Sequence, residues 1–380
     1  MSLPETSARA SGPPAGRLHF IDGLRGVAAL SVALLHIYAT SPVRPFMPEL
    51  LGDVLGHGHL GVGIFFVLSG FVIANSLEGL RITPGTFGRF MARRLVRLHP
   101  PYVVSLVVAV AVVAVSNFAL RDRVQPYPSA GLLVAHFFYL EDFLRLPKLN
   151  DVYWTLCLEI QFYLLFVLLI GLGQYWRRGT RVATEAPSGP PLIVFVPITL
   201  YGLALVAGAR VVEPAGACFS AWHMFFGGAL AFWFVHGRIS AAVIGVFAAA
   251  LAIVGGVRQD GMTIAALLTM GMLVLGCRRA AASAWLESRA LQYLGAISYS
   301  LYLVHPFFGQ RVANLGIRLI GTSPVASWIL FFSAIACAIA GAHLFWRFVE
   351  RPCIAWSRRI AVRAPAPSTA PVTAPASTVS

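Results

Sequence analysis

Apolar residues in this chain recur in long blocks rather than at the helical or strand spacing of a water-facing fold. Ten blocks approach the roughly 17–25 residues that a helix needs to cross a bilayer. They fall at 24–42, 60–78, 100–119, 153–173, 191–209, 218–236, 239–257, 260–277, 295–319 and 325–346. The pattern predicts an all-α polytopic membrane protein, a bundle of about ten transmembrane helices spanning residues 18–357. The division between 239–257 and 260–277 rests only on Arg258, Gln259 and Asp260. Three polar, Pro- and Ala-rich stretches (1–17, 178–190 and the tail from 358 on) lack the apolar content for a packed core and are expected to be disordered. The first 17 residues show no basic-apolar-cleavage pattern, so the first span is expected to act as an uncleaved anchor.

Composition supports a lipid-solvated chain. Of 380 residues 58% are hydrophobic and 12% charged, about half the charge density of a soluble protein. The net charge of +14 would suit a nucleic-acid partner, but the arginines sit between apolar blocks, where membrane topology accounts for them. Alternate loops hold 20 and nine basic residues. The richer side includes both termini and the 79–99 and 174–190 loops, and the positive-inside rule places it in the cytoplasm. The plasma (inner) membrane is the expected location, with the 120–151 loop external. The five cysteines form no metal-ligand pattern and read as small buried hydrophobes; no metal is expected.

Charged groups inside spans are costly and therefore candidates for function. The first span holds Asp22 and Arg25 at its inner end and His36 eleven residues on. Eleven steps of about 100° nearly close three turns, so Arg25 and His36 share one face, about 16 Å apart along the axis. Arg25 also has the simpler reading of a topological anchor, and His36 that of a packed histidine bonded to a neighbouring helix. Glu159 lies five residues past Trp154. If Trp154 marks the outer interface, Glu159 sits within a helical turn of the depth of His36, and the two suit a base and its orienting carboxylate. Arg89, Arg93 and Arg97 recur every four residues with Arg94 beside them. Such a stripe fits phosphate binding and equally lipid headgroups. In 294–306, Ser298, Tyr302 and His305 share a face, which serves either interhelical hydrogen bonding or the site itself.

Taken together, these blocks resemble the acyltransferase 3 family of integral membrane acyltransferases. DGLRGVAALSVALLH (22–36) is similar to that family's Arg-x10-His signature. GHLGVGIFFVLSGFVI (58–73), RFMARRLVRLHP (89–100), YWTLCLEIQFY (153–163), LGAISYSLYLVHP (294–306) and VERP (349–352) follow in family order. Thr155, where Ser is common, and His99 before Pro100 depart from the pattern. The resemblance implies transfer of an acyl group, acetyl in the expected case, from cytoplasmic acyl-CoA to a hydroxyl of a carbohydrate or glycosylated acceptor. It marks His36 and Glu159 for chemistry, with Arg25, Arg93, Arg94 and Arg97, and Arg89 by its stripe, for the donor. Asp22, Ser298, Tyr302 and His305 are possible supports. Acyl-CoA is then a co-substrate and no permanent cofactor is implied. The expected partners are acyl-CoA, the acceptor and membrane lipids, without nucleic acid. The esterase-like C-terminal domain of some members is not expected here. The competing reading is a transporter or flippase for a lipid-linked saccharide or small polar solute, with the same polar groups forming a pathway.

Overall fold

The computed structural model describes residues 16–119, 125–179, 189–279 and 284–362. Among these there are helices and turns and no strands. The stretches expected to be disordered fall almost wholly outside the described residues.

The helices, in chain order, are α1 (Gly16–Thr40), α2 (Glu49–Gly56), α3 (Leu60–Leu77), α4 (Pro84–Ala119), α5 (Ala130–Phe137), α6 (Trp154–Gly179), α7 (Val196–Val206) and α8 (Trp222–Val235). They continue with α9 (Ala241–Arg258), α10 (Gly261–Arg278), α11 (Arg289–Ala296), α12 (Ser298–His305), α13 (Arg311–Ile320), α14 (Pro324–Phe345) and α15 (Arg351–Arg358). Among the described residues, seven helical stretches are long and apolar enough to cross a membrane, and two shorter apolar ones lie at Leu192–Val206 and Trp222–Val235. The expected span at 295–319 is helical from Ser298 on but irregular in its middle. Its α12 and α13 are joined by a π-helical turn over Pro306–Gln310, because Pro306 has no N–H for the helical ladder. The chain is an all-helical integral membrane protein.

Local signals explain the boundaries. Gln259 adopts φ 52°, which ends α9, and the Asp260 carboxylate caps α10 by accepting from Met262 N at 3.1 Å. The three residues between the seventh and eighth spans thus suffice for a reversal. The third span begins well before residue 100: α4 runs unbroken from Pro84 through Pro100 and Pro101, so the arginine stripe and the apolar stretch belong to one helix. Such prolines are tolerated in a span where neighbours satisfy the freed carbonyls.

Backbones approach closely where side chains are absent. A Cβ on Gly70 would lie 1.7 Å from the Phe225 carbonyl oxygen, and one on Gly228 1.8 Å from that of Val67. α3 and α8 therefore pack through facing glycines, the small-residue contact that drives helix association in lipid. Around this seam Phe66, Phe162, Trp222, Phe225 and Phe232 are buried.

Candidate active site

The arginine-rich end of the bundle holds a cavity of about 1020 Å³. Its wall is built from the start of α1 (Asp22, Arg25), α4 (Arg93, Arg94, Arg97), α11 and the π-helical turn that follows α14 (Glu350). The wall can close because Gly295 of α11 lies against the backbone of Asp22, where a Cβ would be 2.1 Å from its carbonyl oxygen. Arg97 feels Arg25 and Arg94 as like charges and Glu350 as its counter-charge. Glu350 is buried and accepts from the Ser300 amide at 3.2 Å and the Ser300 hydroxyl at 2.6 Å. Arg94 donates to Ser76 Oγ at 2.8 Å and lies over the rings of Phe90 and Tyr163. Glu350 counters Arg97 and Arg25, and the arginines lining the cavity outnumber Asp22 and Glu350, so net positive charge faces it and attracts an anionic group such as a phosphate.

Arg25, Arg94 and Arg97 also line a second, smaller cavity of about 80 Å³ further into the bundle, with Glu159, Tyr163 and Tyr302. Glu159 accepts from Ser69 Oγ at 2.6 Å and from the Tyr163 hydroxyl. Tyr302 and Thr155 also line this cavity and meet at 2.9 Å. The Thr155 proton is directed at the Val152 carbonyl (3.0 Å), so the tyrosine hydroxyl is the donor to Thr155.

One turn beyond Tyr302 on α12 stands His305. It is fully buried, and its Nε2 lies 2.9 Å from His36 Nδ1. Its own Nδ1 lies 2.9 Å from the Leu301 carbonyl. A carbonyl only accepts, so His305 Nδ1 carries the proton. With both rings neutral, His305 Nε2 then accepts from His36 Nδ1–H, and the lone pair of His36 resides on Nε2. The chain of bonds from Leu301 through His305 thereby selects the His36 tautomer and leaves one nitrogen basic. Asp151, exposed near the start of α6, acts electrostatically on His36. Asn150 holds that segment to α12 by donating to the Leu303 carbonyl at 3.1 Å.

The structure redistributes the residues expected from the sequence. Arg25 and His36 lie on the single helix α1, as the spacing requires, but His36 lines neither cavity. The expected His36–Glu159 pair does not form: Glu159 is bonded to Ser69 and Tyr163, and His36 to His305. Glu159 would reach the depth of His36 only if α6 started at the membrane surface. Instead Tyr153, just before α6, bonds Ser105 at 2.8 Å, and α4 continues from Ser105 to Ala119, about 21 Å further along its axis. Arg89 shares the stripe of Arg93 and Arg97 but lines neither cavity. Ser298 is buried with its hydroxyl unpaired and touches neither cavity. Glu350 and Ser69 escaped the sequence reading as chemistry, although VERP and LSGF lie inside or beside the quoted blocks. A carboxylate at the end of the last apolar block was the available signal for Glu350.

Comparison with known families decides the identity: a profile described as an acyltransferase domain matches residues 18–347. The chain belongs to the acyltransferase 3 family. Within it, the chain is 27% identical to the acyltransferase MdmB of Streptomyces mycarofaciens, over 94% of this chain and 97% of that protein. It is 28% identical to the exopolysaccharide production protein ExoZ of Rhizobium meliloti, over 80% and 92%. It is 24% identical to the peptidoglycan O-acetyltransferase OatA of Listeria monocytogenes, over 87% of this chain and 55% of that longer protein. No solved structure matches the chain. As a member of the acyltransferase 3 family it is a membrane acyltransferase, and the two cavities and the imidazole pair are the parts in which that activity has to be sought.

Proposed function

We propose that the protein moves a short acyl group, acetyl in the simplest case, from cytoplasmic acyl-CoA to a hydroxyl of a carbohydrate or glycosylated acceptor, in the cell's plasma membrane with both termini inside. The observation that carries this reading is the succession of three arginines on α1 and α4, a narrow inner cavity and a tautomer-fixed histidine where α1 meets α12. Acyl transfer from a phosphate-bearing thioester needs an anion site, a passage for the acyl-bearing arm and a base.

In this reading Arg25, Arg93, Arg94 and Arg97 hold the donor phosphates in the large cavity, and Glu350 keeps Arg97 and Arg25 in place. The thioester arm enters the inner cavity past Glu159. Tyr302 and Thr155 stand between that cavity and the imidazole pair, so the tyrosine hydroxyl turns away from Thr155 as the arm passes. His36 Nε2 takes the proton of the acceptor hydroxyl while the oxygen attacks the thioester carbonyl. The C–O bond forms, the C–S bond breaks, and the proton passes from the imidazole to the departing thiolate. His305 accepts from His36 Nδ1–H throughout and stabilises the transient imidazolium. The names of OatA and ExoZ, a peptidoglycan O-acetyltransferase and an exopolysaccharide production protein, support a carbohydrate-bearing acceptor.

Purified protein in liposomes, supplied with acetyl-CoA and candidate saccharides, tests the reading. The expected result is free thiol released in step with a mass gain of one acetyl group on the acceptor. Passage of an unmodified saccharide across the bilayer without a donor would instead establish the flippase reading.

A further inference from the structure

The segment joining α4 to α6 is built inside out for a loop in water. Six large apolar side chains within residues 134–144 are exposed: Val134, Phe137, Phe138, Leu140, Phe143 and Leu144. The polar groups of the same stretch point the other way. His136 and Glu141 are fully buried, with the His136 ring nitrogen 3.5 Å from the carboxylate. The His136 carbonyl accepts from the Tyr102 hydroxyl at 3.0 Å, and the Tyr139 hydroxyl meets His99 at 3.0 Å.

The segment also runs alongside an apolar helix. At its start Gln125 exchanges two hydrogen bonds with Asn117, near the end of α4, at 2.7 and 2.8 Å. By His136 and Tyr139 it has come back to the level of Tyr102 and His99 on the same helix. Fifteen residues separate Tyr102 from Asn117, about 22 Å of helix. Residues 102–118 carry no charge, and Val107, Val115 and Phe118 on that stretch are exposed. A helix face of that kind stands in hydrocarbon, and what lies beside it over the same length stands in hydrocarbon too. Much of the backbone is satisfied internally, the condition that lipid imposes. Ser129 caps α5, and bonds from Leu140 N to Ala135 O, Leu144 N to Leu140 O and Leu146 N to Glu141 O close the turns that follow.

We infer that residues 125–144 are not a water-exposed loop but a membrane-seated element, its apolar face set against lipid acyl chains in the leaflet opposite the arginine-rich end. The partly exposed Asp142 is paired with Lys148 at 3.2 Å, the exposed charges follow at Arg145, Lys148 and Asp151, and Asp151 acts on His36.

The test is independent of catalysis. Full-length protein carrying Phe138→Cys or Leu144→Cys is labelled with an environment-sensitive fluorophore in phosphatidylcholine–phosphatidylglycerol vesicles. The native cysteines stay in place and the unsubstituted protein supplies the background. Arg210→Cys, in the exposed segment after α7, is the water-facing control. Acyl-chain nitroxides should quench labels 138 and 144, and aqueous iodide should quench only the control. Iodide quenching at both positions would overturn the inference in favour of an external loop. Failure of both quenchers, with the labels quenching one another, would overturn it in favour of a face covered by a second copy. Size-exclusion profiles verify folding, and either position decides alone if the other variant does not fold.

Discussion

The arginine-lined cavity and the imidazole pair are built on opposite principles, although α1 and α12 run through both. In the cavity, Arg25, Arg94 and Arg97 lie near one another with Glu350 as counter-charge to Arg97 and Arg25, and long-range Coulomb attraction tolerates variation in position. At the pair, two hydrogen bonds of 2.9 Å determine which nitrogen holds the proton, and a displacement of an ångström destroys the effect. Binding of a charged donor is distributed over several replaceable groups. Proton transfer is concentrated in one. If this contrast is right, substitutions in the two regions should fail differently, in affinity at one end and in turnover at the other.

The largest effect is expected at His36. His36→Ala should lower turnover by roughly 10²- to 10⁴-fold, the usual contribution of a positioned acid–base group, while acetyl-CoA binding measured by calorimetry is retained. Near-normal turnover would break the comparison at its main point. His305 comes next. Loss of a hydrogen bond to a group that becomes charged is worth about 1.5–3 kcal/mol, so His305→Ala should cost roughly 10- to 100-fold in single-turnover rate with donor affinity unchanged. His305→Asn, which can return an acceptor to His36 Nδ1–H, should recover part of it. A purely structural histidine would show no such recovery in rate.

Changes at the arginines should appear in affinity. Arg97→Ala removes a charge-assisted contact and should raise the donor KM by about tenfold or more, with a smaller change at saturation because the interaction is made before and during the transition state alike. Lys at this position should rescue only partly, having no bidentate fork. Arg89→Ala sharpens the point, since Arg89 lines neither cavity and its loss should leave donor affinity unchanged. Equal effects at 89 and 97 would favour a lipid-headgroup stripe. The smallest effect is expected at Glu159. Glu159→Gln keeps an acceptor for Ser69 and Tyr163 and alters only the charge facing Arg94, so a change of a few-fold, about 1 kcal/mol or less, should appear in donor KM. A turnover loss like that of His36→Ala would restore Glu159 as the partner of the base.

Some of this arrangement was legible in the residues alone. The eleven-residue separation of Arg25 and His36 puts them on one face of any continuous helix, and apolar block length identifies an all-helical membrane protein, because both follow from helix geometry and bilayer thickness. Reversals as short as Gln259–Asp260 were also readable. His305 was visible as a candidate but not as the partner of His36, since 269 residues separate the two. Glu159 shows where one-dimensional counting fails. Its depth was reckoned from Trp154 as though every helix began at the same surface, whereas the contact between Tyr153 and Ser105 starts α6 far short of the end of α4.

What the sequence by itself determined is the membrane character of the chain: that long apolar blocks form its helices, that arginine collects between them, and that certain polar residues are carried into the bundle at a cost that calls for a use. These are properties of single helices, governed by transfer free energy and a fixed rise per residue. What only the tertiary structure decided is partnership. Glu159 joins Ser69 and Tyr163, His36 joins His305, Glu350 faces Arg97, and the stretch after α4 turns its phenylalanines outward. Those outcomes depend on the relative height and rotation of helices far apart in the chain. Contacts such as Gly70 on Phe225 set that registry, and no local pattern along the sequence encodes it.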